Sequence, residues 1–222
     1  MKHPVHILIA LNHALSPSWT RHLQRELHGC TSVLDLGCGK DSPIQECEIP
    51  HTVGVDLFEA YLEESKRKRI HTEYIKADIR TVDFPPGSFD GVMCLEVLEH
   101  LTKEEGLALL GRMEKWARKK LVLTTPNTFV WQDEVDGNPL QAHRSGWTAR
   151  ELQRLGFRVR GLKGWRTLRG YRGGLKYRPM FFWAKLSHLS QKFVYFVPSL
   201  AFQLFIVKDL NKATLSAATR ND

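Results

Sequence analysis

The sequence predicts an α/β fold, a three-layer sandwich with helices on both faces of a mostly parallel sheet. Short β-rich runs alternate with longer helical patterns, the order that strand–helix–strand units produce. The runs are almost continuously apolar, as strands buried on both faces must be. Three of them carry an aspartate at or near the carboxyl end: Asp35, Asp56 and Asp78.

The first run, SVLDLG (32–37), leads into a turn through Gly37, Cys38 and Gly39. The stretch after it, KDSPIQECEIPH, contains Pro43 and Pro50 and is too short for more than one or two helical turns. TVGVDL (52–57), EYIKAD (73–78) and FDGVMCL (89–95) are the next strands, with a helix over FEAYLEESKRKR (58–69). A longer helix is expected over TKEEGLALLGRMEKWARK (102–119). There Leu107, Leu110, Met113 and Ala117 recur three or four apart, and Thr102 with Glu105 forms a capping box. KLVLTTP (120–126) is the fifth strand. TARELQRLG (148–156) reads as a helix capped by Thr148 and stopped at Gly156, and FRVRGLKG (157–164) and AFQLFIV (201–207) as late strands. Residues 165–200, a basic glycine-containing loop and then an aromatic helix, form an insertion before the last strand and a candidate lid.

With 222 residues, 42% of them hydrophobic, one domain spanning 1–222 is expected, its core at about 30–165. Four cysteines without CxxC spacing read as reduced thiols of a cytoplasmic chain and not as a zinc site. The opening MKHPVHILIALNHALS is interrupted by His6, Asn12 and His13 and does not read as a signal peptide. The longest uncharged apolar run, residues 193–207, is 15 residues with Pro198 inside it, short of the roughly 20 that span a bilayer. The net charge of +8 is concentrated: from Arg144 to Arg178 there are eleven Lys or Arg against one acid, Glu151. Trp147, Phe157, Trp165, Tyr171 and Tyr177 are interleaved with them. Such a face meets nucleic acid, anionic lipid or an acidic substrate, or is simply a solvated surface.

In an open parallel sheet, ligands sit beyond the carboxyl ends of the strands. Those ends carry Asp35–Gly39, Asp56, Asp78, Leu95–Glu96 and Pro126–Asn127. A dinucleotide site uses one acid, on the ribose, and keeps its first turn neutral or basic for the pyrophosphate. Three carboxylates in one crevice oppose a polyanion and favour a ligand with cationic and hydroxyl groups. S-adenosylmethionine meets that demand: it has a sulfonium, an ammonium, a ribose diol and an adenine amine, and no phosphate. Gly37 and Gly39 let the backbone approach closely. Asp35 would hold the ammonium, directly or through water. Asp56, 17 residues after Gly39, would take the ribose hydroxyls, and Asp78 the adenine amine, with Ile79 packed on the ring.

VLDLGCGK, VGVDL, KADI, FDGVMCLEVLEHL, LVLTTPN and HRSGWTARELQRLGFRV resemble, in order and spacing, the class I S-adenosylmethionine-dependent methyltransferases. They look most like the small-molecule branch typified by the ubiquinone-biosynthesis enzymes. The resemblance implies a Rossmann-like, seven-stranded sheet with an antiparallel last strand. It implies cofactor contacts at Asp35, Gly37, Cys38, Gly39, Asp56, Leu57, Asp78 and Ile79, and at Leu95 and Glu96 near the methionine end. The chain departs from the family in its loop, where Asp41 and Ser42 stand in place of a third glycine.

Methyl transfer needs chiefly the positioning of nucleophile and methyl, and a general base only where the acceptor must lose a proton. Glu96, Glu99, His100 and His143 are the candidates, and His143 is taken as the catalytic residue because its ordinary pKa lies near neutrality. Glu96 and His100 are read as bracing the loop by hydrogen bonds, and no metal is expected. The alternative is that Glu96, Glu99 and His100, on one face of the turn if it is helical, bind Mg²⁺, as such residues do in the small-RNA 2′-O-methyltransferases and ubiquinone O-methyltransferases that this segment resembles. Trp131 and Trp147 wall the acceptor pocket or belong to the core. The expected function is methylation of a small-molecule or lipid- or glycan-linked acceptor in the cytoplasm, with peripheral membrane contact through 165–200. The alternatives are an RNA methyltransferase and a membrane-surface module on a degenerate fold.

Overall fold

A computed structural model describes residues 19–170 and 173–210. The amino-terminal segment weighed above as a signal peptide, and Tyr171 and Arg172 of the basic run, lie outside these residues.

Seven strands form one sheet: β1 (Ser32–Leu36), β2 (His51–Asp56), β3 (Glu73–Lys76), β4 (Phe89–Leu95), β5 (Ala117–Pro126), β6 (Arg158–Trp165) and β7 (Ala201–Asp209). Their spatial order is β3-β2-β1-β4-β5-β7-β6. β1 pairs in parallel with β2 and β4, and β7 runs antiparallel to both β5 and β6. Order reverses at β1, so the loops after β1 and β4 flank the switch point where ligands sit in such sheets. The helices are α1 (Trp19–Leu27), α2 (Glu59–Lys68), α3 (Lys103–Trp116), α4 (Ala149–Arg154) and α5 (Met180–Phe196).

Alternation along β1 divides the core. Leu34 and Leu36 join the cluster beneath α3 and α4, with Leu109, Met113 and Leu152. Val33 joins Leu23 and Leu27 of α1 on the other face. Two expectations shift at this level. Leu107 is exposed, and α3 instead buries Gly106, Leu109, Leu110, Met113 and Trp116. On that face the Trp147 ring lies so close to Gly106 that a Cβ there would stand 2.6 Å from Cζ2. β5 also begins at Ala117, earlier than its apolar run, because Phe89 of β4 pairs with it there.

The segment after the first glycine turn is as short as its prolines imply, a single 3₁₀ turn over Pro43–Glu46 capped by Ser42. Residues 165–200 precede β7, and their helix is fixed to a sheet face over its carboxyl half. Gln191 donates to the Gly161 carbonyl and accepts from the Gly164 N–H, both at 2.9 Å, so this half is not a lid.

Candidate active site

The glycine loop is shaped from below. Gly37 and Gly39 have φ of +66° and +58°, and a Cβ on Gly37 would stand 2.5 Å from Val97 Cγ2. The Gly37 and Cys38 N–H groups both bond the Val55 carbonyl, tying the loop to β2. Asp35 lies under the loop, 2% exposed. Its Oδ2 accepts from the Ser42 hydroxyl at 2.6 Å and lies 2.9 Å from His71 Nε2. Ser42, which stands in place of the third glycine, is thus the residue that anchors Asp35. His71 escaped the sequence reading, since a lone histidine before a short strand carries no pattern. Its ring packs on Gly54, where a Cβ would come within 2.9 Å of it. One oxygen of Asp35, Oδ2, is therefore committed internally.

Asp56 ends β2. It accepts the Gly39 N–H on Oδ2 at 2.9 Å and the Phe58 N–H on Oδ1 at 2.8 Å, so each oxygen keeps a lone pair. Burial raises its pKa, and the two backbone bonds oppose that rise. Leu57 beside it is half-exposed, and Cys38 is buried, its thiol pushed up strongly by burial. Asp78 is held by the Arg80 guanidinium, Nη2 to Oδ2 at 2.6 Å and Nε to both oxygens at 3.0 Å. That pairing lowers its pKa. Ile79 packs against the core cluster under α3.

The loop after β4 is built differently. Glu96 has φ of +54°, a left-handed conformation that costs a side chain other than glycine roughly 1 kcal/mol or more. Its N–H bonds the Thr124 carbonyl at 2.9 Å, and its Oε1 is buried without a hydrogen-bond partner. Leu95 beside it packs partly into the cluster under α1. Glu99, 2% exposed, accepts from the Thr125 hydroxyl at 2.9 Å. Burial first, and then the neighbouring Glu96 charge, hold its pKa well above the usual carboxylate range.

Sequence-distant His143 is carried to this loop by the backbone. The Arg144 and Ser145 N–H groups both donate to the Glu99 carbonyl, and Trp147 Nε1 donates to the Leu98 carbonyl. The His100 and His143 rings stand 4.9 Å apart. His143 Nδ1 lies 2.6 Å from the Val130 carbonyl, and His100 Nδ1 lies 3.2 Å from the Ala142 carbonyl. Each Nδ1 therefore carries the proton and each Nε2 keeps its lone pair. Burial lowers both pKa values, so both rings are neutral at pH 7. Ligand atoms of Glu99, His100 and His143 lie within 4.8 Å of one another. Trp147 is a core residue, 1% exposed, whereas Trp131 is 64% exposed on the 127–143 loop.

A family model described as a methyltransferase domain matches residues 34–120. A ubiquinone biosynthesis O-methyltransferase of Bordetella parapertussis is 28% identical over 136 residues, 54% of this chain and 55% of that one. Over residues 34–120 the chain is thus similar to the methyltransferase domain, which supports a class I S-adenosylmethionine-dependent methyltransferase. A sterol 24-C-methyltransferase of Candida albicans is 34% identical over 87 residues, 34% of this chain and 22% of that one. The chain thus spans about half the length of the first curated relative and less of the second. The methyltransferase domain of a bacterial Hen1 superposes with a TM-score of 0.56 at 17% identity, covering 86% of this chain and 96% of that one. A methyltransferase of Archaeoglobus fulgidus gives 0.53 at 20%, covering 86% and 91%. These two likenesses concern the fold: a seven-stranded Rossmann-like sheet with an antiparallel strand β7.

Proposed function

We propose that the chain transfers a methyl group from S-adenosylmethionine to a small-molecule or lipid- or glycan-linked acceptor. The observation that carries the reading is the set of acids on the β1–β3 side, Asp35, Asp56 and Asp78, around a glycine loop whose N–H groups are taken by the Asp56 carboxylate and the Val55 carbonyl and so are not offered to a phosphate. Gly37 and Gly39 give the cofactor a close backbone wall, and Asp56 keeps lone pairs for a diol. Leu57 and Ile79 flank the adenosine side, and Leu95 and Glu96 the methionine side. The bound cofactor supplies a methyl group already activated on a sulfonium. Isothermal titration with S-adenosylhomocysteine tests this: saturable binding is expected, and its absence removes the reading.

A second reading is favoured by a specific observation, the buried unpartnered Oε1 of Glu96 beside Glu99, His100 and His143. The Glu99 carboxylate and two imidazoles whose Nδ1 protons point at carbonyls fit a divalent cation, with Glu96 on the same loop. The imidazoles shift the choice from Mg²⁺ towards Mn²⁺, Co²⁺ or Zn²⁺. The cation would hold and polarise an acceptor oxygen. The His143 lone pair serves either a metal or a proton, not both at once. Mn²⁺ titration of chelator-treated protein separates the two roles. Binding in the parent that falls about 100-fold in His143→Ala supports the metal. No binding leaves His143 as the general base, and the variant then loses turnover while keeping S-adenosylhomocysteine affinity.

A further inference from the structure

We infer that the outer face of α5 is a docking surface for an anionic lipid bilayer. From residue 152 to residue 208 the chain contains no Asp or Glu, and it carries twelve Lys or Arg there. Within that stretch α5 turns its inner side, Ser187, Gln191 and Val194, to β6, with Val194 against Gly161. Its outer side is divided lengthwise. Phe182, Leu189, Phe193 and Phe196, spaced seven, four and three apart, form one strip, and they are 53%, 62%, 60% and 71% exposed. Lys185 and Lys192, one heptad apart, form the strip beside it, also exposed. Side chains of this size left in water are unusual on a lone surface, and a contiguous row of them marks a contact with something apolar.

Two parallel strips on one helix, apolar and cationic, match the cross-section of a bilayer interface, with acyl chains beside anionic headgroups. RNA would satisfy the lysines and leave Leu189 and the phenylalanine row in water. The helix is 17 residues, and no helix of the described residues is long and apolar enough to cross a membrane, so it lies in the interface plane.

Direction links this face to the candidate site. Val194 sits against Gly161 and Ser187 against Gly164, so α5 runs antiparallel to β6. Its first turns, with Phe181 and Phe182, therefore extend past Trp165, beyond the carboxyl ends of the parallel strands. The bilayer contact reaches the rim on which the glycine loop and the Glu96–His143 cluster stand. The docking face does not depend on methyl transfer; that it serves a lipid-linked acceptor rests on the proposed function.

Flotation with vesicles tests the inference. The parent protein is expected to float with phosphatidylcholine vesicles containing phosphatidylglycerol and not with phosphatidylcholine alone. Lys185→Gln/Lys192→Gln should weaken binding by roughly thirtyfold, about fivefold for each charge near the surface. Phe182→Ser/Phe193→Ser/Phe196→Ser should leave only a binding that high salt abolishes. Protein that stays at the bottom with phosphatidylglycerol at low salt overturns the inference, as do variants that float like the parent, or an RNA oligonucleotide that binds when vesicles do not. Titration with S-adenosylhomocysteine on the same samples reports whether each variant is folded. Vesicle binding without cofactor binding would remove the methyltransferase reading and leave this one standing.

Discussion

The two halves of the candidate site are built on opposite principles. On the β1–β3 side every carboxylate already has protein partners: Asp35 has Ser42 and His71, Asp56 has two backbone N–H groups, and Asp78 has Arg80. On the β4–β5 side Glu96 Oε1 has no partner, and two neutral imidazoles leave a nitrogen lone pair each. A half whose carboxylates are all partnered is pre-formed for a ligand, which then pays little to order it, although His71 Nδ1 behind Asp35 is itself buried without a partner. A half that keeps unsatisfied polar atoms stores a cost that only a bound group relieves.

The sharpest way to break the contrast is His71→Ala. The His71–Asp35 contact is almost wholly buried, at 0% and 2% side-chain exposure. Removing the ring leaves the buried Asp35 Oδ2 with the Ser42 hydroxyl alone, and about 1–3 kcal/mol of stability should be lost in denaturant unfolding. His71→Ala/Asp35→Asn should recover part of that loss if the two residues are coupled. Additive losses would show that the first half is not self-satisfied through this pair.

Asp56→Ala tests the same half at its ligand. It removes the bond to Gly39 and the lone pairs assigned to the ribose. S-adenosylhomocysteine affinity should fall roughly 10- to 100-fold, corresponding to about 1.5–3 kcal/mol for hydrogen bonds to a charged group. An unchanged dissociation constant would detach Asp56 from the cofactor.

Glu99→Gln tests the other half. The raised pKa of Glu99 means that the folded chain holds a proton which the unfolded chain releases above the ordinary carboxylate range. Stability of the metal-free protein should therefore fall as pH rises from about 4.5 towards the raised folded value, and stay lower beyond it. The amide cannot ionise, so the variant should show no such slope from this position. At pH 8 it should melt a few degrees higher, roughly 2–4 °C for about 1 kcal/mol in a chain of this size. Cation binding to the parent should release a proton, which titrations in buffers of different ionisation heat would detect. Identical melting of parent and variant from pH 5 to pH 8 would deny the unsatisfied character of this half.

The sheet and the strand-end acids were legible because hydrophobic pattern and chain order report them directly. Six of the seven strands occupy their apolar runs within a residue or two, from Ser32–Leu36 to Ala201–Asp209. The phase of α3 was not legible; on its buried face Gly106 meets Trp147 from 41 residues away. Partners were least legible of all. His71 under Asp35, Thr125 on Glu99 and the carbonyls of Val130 and Ala142 behind the two histidines are set by packing between segments. No local spacing encodes them.

Arg80→Ala is the mildest test and the one that separates a partner from a competitor. Arg80 covers Asp78, where an adenine amine is proposed to bind, and it also reaches Glu105 at 3.5 Å. Arg80 is 39% exposed, so this pairing contributes at most about 1 kcal/mol to stability, and salt weakens it. The depressed pKa of Asp78 carries that contribution above the ordinary carboxylate value and loses it as pH falls. If the cofactor must displace the guanidinium, freeing Asp78 should tighten S-adenosylhomocysteine binding up to about fivefold, the equivalent of 1 kcal/mol. High salt should tighten the parent in the same direction and leave the variant unmoved. Weaker binding in Arg80→Ala would mean that Arg80 orients Asp78 for the adenine, and the first half would then be assembled by the ion pair instead of guarded by it.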